Sequence, residues 1–194
     1  MRRALLAVLV LAACGSSGRT LNPPGPGQTL SVLTTTIPPS TSSTAVPALS
    51  LVLPFADGAT LDARYTCKAT NGAGVSPGVS WAGVPPDTKE LVLVVVDPDA
   101  AGFVHWVLAG IDPNAATDVP EGSVPAGLHQ ALNGFGRSGW VAPCPPSGVH
   151  HYRFTLYALT GPSGITNSMP AADAIALLSG KSTTSVTITV TFGA

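Results

Sequence analysis

The feature that most constrains this chain of 194 residues is the uninterrupted aliphatic run LVLVVV at residues 91–96. Polar residues precede the run, and the sequence Asp97-Pro98-Asp99 follows it. Six residues are too few to cross a bilayer, which takes roughly 20 apolar residues. An aliphatic run without polar alternation is typical of a strand that is covered on both faces. The run therefore predicts a central strand of a sheet.

Three further segments have strand patterns. Residues 103–109 follow the central run after a short loop, which predicts a hairpin whose loop carries two aspartates. Residues 151–159 are rich in aromatic side chains. Residues 184–192 alternate strictly, with apolar residues at even positions from 186 to 192 and Ser or Thr between them. This alternation predicts a strand with one face in water.

A single helix is predicted over residues 171–178, because Pro170 precedes the segment, Asp173 lies in its first turn and Gly180 follows it. Charged residues make up 10% of the chain, and Gly and Pro together occupy 40 positions, which argues against long surface helices. These patterns predict an all-β sandwich with one or two short helices. The net charge of −1, with scattered basic residues, excludes the basic stripe that nucleic-acid binding requires.

The first 13 residues have the organisation of a secretory signal peptide, in which Arg2 and Arg3 precede a short apolar stretch. The next residues, LAACG at 11–15, resemble the bacterial lipobox, whose cysteine receives diacylglyceryl and acyl chains such as palmitate. We therefore expect Cys14 to be lipidated and to anchor the protein on the extracytoplasmic side of a bacterial cell membrane. The alternative is an ordinary signal peptide with an incidental cysteine.

Residues 14–48 are rich in Gly, Ser, Thr and Pro and have almost no charge. Such a segment cannot bury enough apolar surface to offset its ordering entropy, so we expect a disordered tether. Residues 49–194 then form one predicted domain. Without the two arginines of the signal peptide, seven basic residues remain against ten acidic ones, so the exported protein carries a net charge of −3.

The cysteine count fits this interpretation. Three cysteines are an odd number for an oxidising compartment, but lipidation of Cys14 would leave Cys67 and Cys144 as a pair. A disulfide between them would close a loop of about 77 residues and stabilise the fold by roughly 4 kcal/mol in the chain-entropy account. The alternative is a Cys144 nucleophile that a histidine and Asn133 would assist.

Candidate chemistry lies in the histidines near strand ends. Asp97 closes the central strand, His105 lies in the next strand, and His150 opens the third. Adjacent residues of a strand point to opposite faces, so His150 and His151 cannot both ligate one metal ion without a bulge. We therefore expect no metal site, and we expect His129 to be solvated. Asp97 and His105 could form a buried hydrogen-bonded pair that only rigidifies the sheet.

Five segments in order along the chain resemble motifs of the phosphatidylethanolamine-binding protein family, in its bacterial branch. They are SPGVSW at 76–81, DPDA at 97–100, FVHW at 103–106, NGFG at 133–136, and PCPP at 143–146 leading into HHYRFTLYAL at 150–159. The resemblance covers about residues 50–192. It implies a β-sandwich dominated by a large antiparallel sheet, with a small anion-binding pocket at one end.

The resemblance also implies which residues line that pocket: Asp97, His105, Pro143, His150 and Tyr152. Bacterial relatives tend to carry cysteine at both places where this domain has one, which supports the disulfide.

Several positions depart from the family pattern. The family often has proline at the position of Ala101, usually glycine at Ala142, and commonly arginine at His151. An alanine methyl in place of glycine would narrow the pocket, because glycine lets a ligand approach the backbone. The C-terminal element is shortened and contributes Phe192 where the family has a tyrosine.

We therefore expect a binding protein that is not an enzyme and needs no cofactor, with a small anionic ligand or phospholipid head group as its partner. Affinity is expected to fall as pH rises through the imidazole range. One alternative, implied by the same resemblance because some family members inhibit proteases or kinases, is a protein-interaction module that inhibits a protease or, as the second choice, a kinase. A second alternative is a hydrolase that uses Asp97 and His105 as a base pair with water.

Overall fold

The computed structural model describes residues 48–69 and 74–194, together with the single residue Pro26. The predicted signal peptide, the predicted lipidation site at Cys14 and, apart from Pro26, the predicted tether before residue 48 lie outside these ranges. Within them, no helix combines the length and the apolar character that crossing a bilayer requires.

The described part of the chain consists mainly of strands. In chain order they are β1 (Ser50–Val52), β2 (Val79–Ala82), β3 (Glu90–Asp97), β4 (Phe103–Ile111), β5 (Asp118–Val119), β6 (His129–Gln130), β7 (Val149–Leu159) and β8 (Ser182–Gly193). Helix α1 spans Ala171–Ala176, and 3-10 turns span Ala63–Tyr65 and Pro98–Ala100. The helix ends two residues before the predicted end, at a short turn that leads to Gly180.

The strands form two antiparallel sheets. The larger has the order β6-β4-β3-β7-β8, and the smaller has the order β1-β2-β5. Strand β3 lies in the middle of the larger sheet, between its hairpin partner β4 and β7. The predicted central strand, the predicted hairpin and the predicted all-β architecture are therefore confirmed.

The two faces of the larger sheet are covered differently. Alternate residues of β3, including Leu91 and Leu93, face the smaller sheet and pack in one cluster with its Leu51 and Val79. The other alternate residues, such as Val92, pack beneath α1 in a second cluster. Both faces of β3 are thus covered by other elements, which is why its sequence shows no polar alternation.

Strand β8 has the alternation that the sequence predicts. Its Thr and Ser side chains at 183, 185 and 187 are exposed, whereas Val190 and Phe192 are buried in the cluster that faces the smaller sheet. Because β3 and β7 are antiparallel neighbours, the end of β3 and the start of β7 meet at the same end of the larger sheet. This arrangement brings Asp97 and His150 together.

Candidate ligand-binding site

A cavity of about 220 Å³ lies at this end of the larger sheet, where β3 ends and β4 and β7 begin. Its polar lining consists of Asp97, His105, His150 and Tyr152. Its apolar wall includes two aromatic rings, from Phe103 and Phe135, and two proline rings, from Pro145 and Pro146. Four of the five predicted site residues therefore line one cavity.

The fifth predicted residue, Pro143, does not line the cavity. It is buried, and its carbonyl oxygen accepts a hydrogen bond of 3.0 Å from the N–H of Cys67. Its chain neighbours Ala142 and Cys144 line the cavity instead. Ala142, at a position where the resemblance implies glycine, is thus part of the wall.

Asp97 is held in place by three donors. Its Oδ1 accepts from the N–H groups of Asp99 (2.9 Å) and Ala100 (3.1 Å), so the side chain caps the 3-10 turn that follows β3. Its Oδ2 lies 2.7 Å from Nδ1 of His150. The alternative in which Asp97 pairs with His105 is not what the structure shows, since the imidazole that Asp97 engages is that of His150.

His105 has a different partner. Its Nδ1 donates to the carbonyl oxygen of Val141 at 2.7 Å, and the N–H of Val141 donates to the carbonyl oxygen of His105 at 3.0 Å. Burial lowers the pKa of His105, while the Val141 carbonyl and the Asp97 charge oppose that shift. His105 is thus a neutral imidazole near pH 7. Sequence reasoning missed Val141, which carries no chemical signal of its own.

Tyr152 supplies the phenolic hydroxyl of the site. Its side chain is 1% exposed, and its ring packs edge-on against the His105 ring, with centroids 5.2 Å apart. No residue in the described ranges forms a hydrogen bond with its hydroxyl. Burial, together with the charges of Asp97 and Asp99, raises the pKa of Tyr152 far above its usual value. The hydroxyl therefore stays protonated and can donate.

The turn that starts at Asn133 carries Phe135 to the cavity. Asn133 is buried, its Oδ1 accepts from the N–H groups of Phe135 and Arg137, and its Nδ2 donates to the carbonyl oxygen of Gly139. A Cβ at Gly134 would lie 2.4 Å from the ring of Phe103, so this position must be glycine for that ring to pack. The motif NGFG thus shapes the aromatic wall.

Cys67 and Cys144 are joined by a disulfide bond, with their Cα atoms 5.4 Å apart. The bond and the Cys67 N–H together fasten the wall segment around Cys144 to the loop that contains Cys67. The predicted disulfide is present, and the alternative of a Cys144 nucleophile is wrong for this structure, because the sulfur is already bonded.

A second acid–histidine pair lies beside the cavity. Oδ2 of Asp99 accepts from both the backbone N–H (2.7 Å) and Nδ1 (2.8 Å) of His151. These bonds hold the pKa of Asp99 below its usual value. We call Asp97 with His150 the inner pair and Asp99 with His151 the outer pair. The outer pair is about half exposed and does not line the cavity.

Three further expectations concern His129, metal ligands and a catalytic base pair. His129 is exposed in β6, as predicted. Within residues 48–69 and 74–194, no group of three His, Cys, Asp or Glu side chains is placed to hold a metal ion. The hydrolase alternative required a base pair of Asp97 and His105, and this pair does not form.

Comparison with known proteins identifies a family and several relatives of this chain. A model of the family described as "Phosphatidylethanolamine-binding protein" matches residues 53–193. The chain is 41% identical over 184 residues to a Mycobacterium tuberculosis protein named "Putative lipoprotein LppC", covering 89% of this chain and 86% of that one. It is 45% identical over 111 residues to a UPF0098 protein of Methanothermobacter thermautotrophicus, covering 54% of this chain and 72% of that one.

Two solved structures have the same fold. One is a putative phosphatidylethanolamine-binding protein homolog, CT736, from Chlamydia trachomatis, with a TM-score of 0.69 and 27% identity over 76% of this chain and 98% of that one. The other is YbcL of E. coli, titled a member of the mammalian family, with a TM-score of 0.68 and 25% identity over 75% of this chain and 98% of that one. The family match spans nearly the whole described domain, and the site lies within it, so this chain belongs to the phosphatidylethanolamine-binding protein family.

Proposed function

We propose that this protein is an exported lipoprotein whose domain binds a small anionic, phosphate-bearing ligand of the phospholipid head-group type. The observation that carries this proposal is the convergence of two imidazoles and one phenolic hydroxyl on a single cavity, at His105, His150 and Tyr152. The cavity is smaller than the roughly 300–1,000 Å³ of typical drug-sized pockets. Its size fits a head group.

The proposed ligand contacts are local donors, because the net charge of the protein is negative. The Tyr152 hydroxyl donates, and an imidazole donates from Nε2 when it is protonated. Bonds from charged donors to phosphate oxygens are about twice as strong as neutral ones. Asp97 acts as a positioning residue for His150, and Pro143 contributes only through the wall that it helps to hold.

Membrane attachment is the second part of the proposal. It is supported by the signal-like first 13 residues, by the lipobox-like sequence around Cys14 and by the lipoprotein name of the mycobacterial relative. Mass spectrometry of the membrane-extracted protein should show acyl mass on a peptide that begins at Cys14. A C14S variant should leave the membrane fraction, and persistence of that variant in the membrane would contradict the anchor.

The binding part is tested by calorimetric titration of the full chain with phosphorylethanolamine at pH 6.5. Replacing both cavity histidines, H105A with H150A, should weaken binding by at least about tenfold, because each lost charge-assisted or neutral hydrogen bond is worth about 1 kcal/mol or more. H129A is the matched control, since His129 is exposed in β6 and is not part of the cavity.

Unchanged binding in the double variant, or equal losses in the double variant and in H129A, would contradict the cavity as the site. A double variant that loses the ligand but still inhibits a protease or a kinase would instead identify the interaction module weighed above. We propose no catalysis at this site, so phosphorylethanolamine should be recovered intact after incubation.

A further inference from the structure

Building on the proposed function, we propose that the inner pair takes up one proton when an anion enters the cavity, while His105 remains a neutral acceptor. The two cavity histidines therefore have different roles. His150 supplies the positive charge that the anion needs, and Asp97 makes that charge possible without touching the ligand.

The hydrogen bonds of the inner pair fix where the proton lies on His150. Oδ1 of Asp97 is occupied by two backbone N–H groups, and Oδ2 faces Nδ1 of His150 at 2.7 Å. An ionised carboxylate only accepts, so Nδ1 must carry a hydrogen. The neutral ring then presents a lone pair at Nε2, which repels an anionic oxygen. A second proton at Nε2 turns the same ring into a charged donor.

The carboxylate also compensates the charge that this second proton adds. Asp97 is 2% exposed, and an opposite charge within about 4 Å favours the charged form of a histidine. His150 therefore has a partner that remains in place whether or not the ring is charged. The cavity can change its charge by one unit without leaving a buried ion unpaired.

His105 lacks such a partner. Its Nδ1 donates to a neutral carbonyl, that of Val141, and its side chain is buried. Burial disfavours the imidazolium, which is consistent with the lowered pKa of this residue. Nε2 of His105 therefore stays an acceptor, and it suits a donor of the ligand such as an ammonium or a hydroxyl group.

Charged and titratable groups from every neighbouring element surround His150. Strand β3 and its following turn contribute Asp97 and Asp99, and β4 contributes His105. Tyr152 of β7 keeps its proton. Strand β8 places Phe192 opposite His150, and Nζ of Lys68 lies 5.4 Å from the ring of Phe192. Among these groups, the inner pair alone combines a titratable ring with a carboxylate partner on the cavity wall.

Proton uptake would regulate the site. If one proton is taken up per ligand, affinity falls tenfold for each pH unit over which that uptake persists. The protein would then capture its ligand in an acidic environment and release it in an alkaline one, with no change of fold.

The test is titration of the full chain with phosphorylethanolamine between pH 7 and 8.5, in buffers of low and high ionisation enthalpy. The ligand phosphate has its second ionisation near pH 6, so the free ligand is already dianionic in this range. We expect uptake to approach one proton per ligand at the upper end. The ¹⁵N signals of His150 should also show both ring nitrogens protonated in the complex.

The variant D97N tests whether Asp97 fixes the position of the hydrogen on the ring of His150. The amide oxygen of Asn can keep the two backbone bonds of the turn, but its NH₂ group then faces Nδ1 of His150 and donates to it. The neutral ring must carry its hydrogen at Nε2, which makes it a donor without any proton uptake. D97N should therefore still bind phosphorylethanolamine, with an affinity that stays flat from pH 7 to 8.5.

Two further variants complete the design. D99N alters the outer pair, which has the same residue types outside the cavity, so it should retain the proton uptake of the wild type. H105Q should bind more weakly, because His105 lines the cavity, but its uptake per bound ligand should match that of the wild type. Uptake near zero in the wild type, or uptake that survives D97N and disappears in H105Q, would overturn the assignment while leaving the proposed function in place. Absence of binding at every pH would count against the proposed function itself.

Discussion

Strand β3 begins and ends with a buried carboxylate, and the two ends differ in the kind of donor that holds it. Glu90, at the start, accepts from the N–H of Gly110 (2.8 Å) and from the N–H (2.6 Å) and hydroxyl (2.7 Å) of Ser163. Asp97, at the end, accepts from two N–H groups and from the ring of His150. Both side chains are less than a tenth exposed.

This difference in donors distinguishes a carboxylate that stabilises the fold from one that serves the binding site. The donors around Glu90 do not titrate, and their hydrogen bonds join β3, β4 and the loop at Ser163. One donor of Asp97 is an imidazole that also faces the cavity. That network therefore has two protonation states, and the occupant of the cavity determines which one forms. Burial of a carboxylate is common to both sites and does not by itself indicate function.

The largest expected effect is on stability, at the Glu90 end. E90A removes the acceptor of three hydrogen bonds in a buried place, and each donor left without a partner costs about 1–3 kcal/mol. We expect the free energy of unfolding to fall by about 4 kcal/mol in urea titrations, with unchanged affinity for phosphorylethanolamine in the folded protein.

K89A is the control, because Lys89 is the exposed chain neighbour of Glu90, and it should change the free energy of unfolding by less than about 0.5 kcal/mol. A loss of less than about 1 kcal/mol in E90A would contradict this comparison, because the hydrogen bonds of Glu90 would then contribute little to the stability of the fold.

A smaller loss of stability is expected at the cavity end, accompanied by a loss of binding. The double variant C67S with C144S opens a loop of 77 residues, so its free energy of unfolding should fall by about 3 kcal/mol, less than the chain-entropy value because residual structure of the unfolded chain usually reduces it. The cavity wall is also released on one side, and affinity for phosphorylethanolamine should drop. Calorimetry and urea unfolding on the same samples check both effects. Full affinity in the double variant would show that the hydrogen bonds of the wall suffice without the disulfide.

The smallest effect is the pH dependence of stability that His105 contributes. Its pKa is lowered in the folded domain, so the unfolded chain binds this proton at a higher pH than the folded chain does. Stability is therefore full above about pH 6.5, the ordinary imidazole value, and falls as the solution is acidified towards the folded pKa. H105Q should lose stability less steeply than the wild type between pH 6.5 and 5. Identical slopes would mean that His105 does not resist protonation.

The long strands were predictable because their patterns are local. The run at residues 91–96 and the alternation at 184–192 each identify a strand without knowledge of its partners. The short strands β1, β5 and β6 have two or three residues each, and only their pairing in space defines them. No local pattern was available to predict them.

The site was predictable by residue type but not by pairing. The motifs named Asp97, His105, His150 and Tyr152, and all four line the cavity. The partner of Asp97 stayed open between alternatives, because chain spacing does not show which imidazole the carbonyl of Val141 engages. Pro143 was misplaced for a related reason: the direction of a side chain in an irregular loop depends on the hydrogen bonds that its backbone makes.

The bond between Cys67 and Cys144 forms only where the redox environment allows it. The completed wall of the cavity therefore depends on the compartment as well as on the sequence. Thiols stay reduced in a cytosol and pair in oxidising compartments. In a reducing compartment the chain would therefore lack the covalent half of the wall around Cys144, and it would acquire that half only in an oxidising one. Under the export proposed above, oxidation of this pair would follow translocation and would be the final assembly step of the cavity.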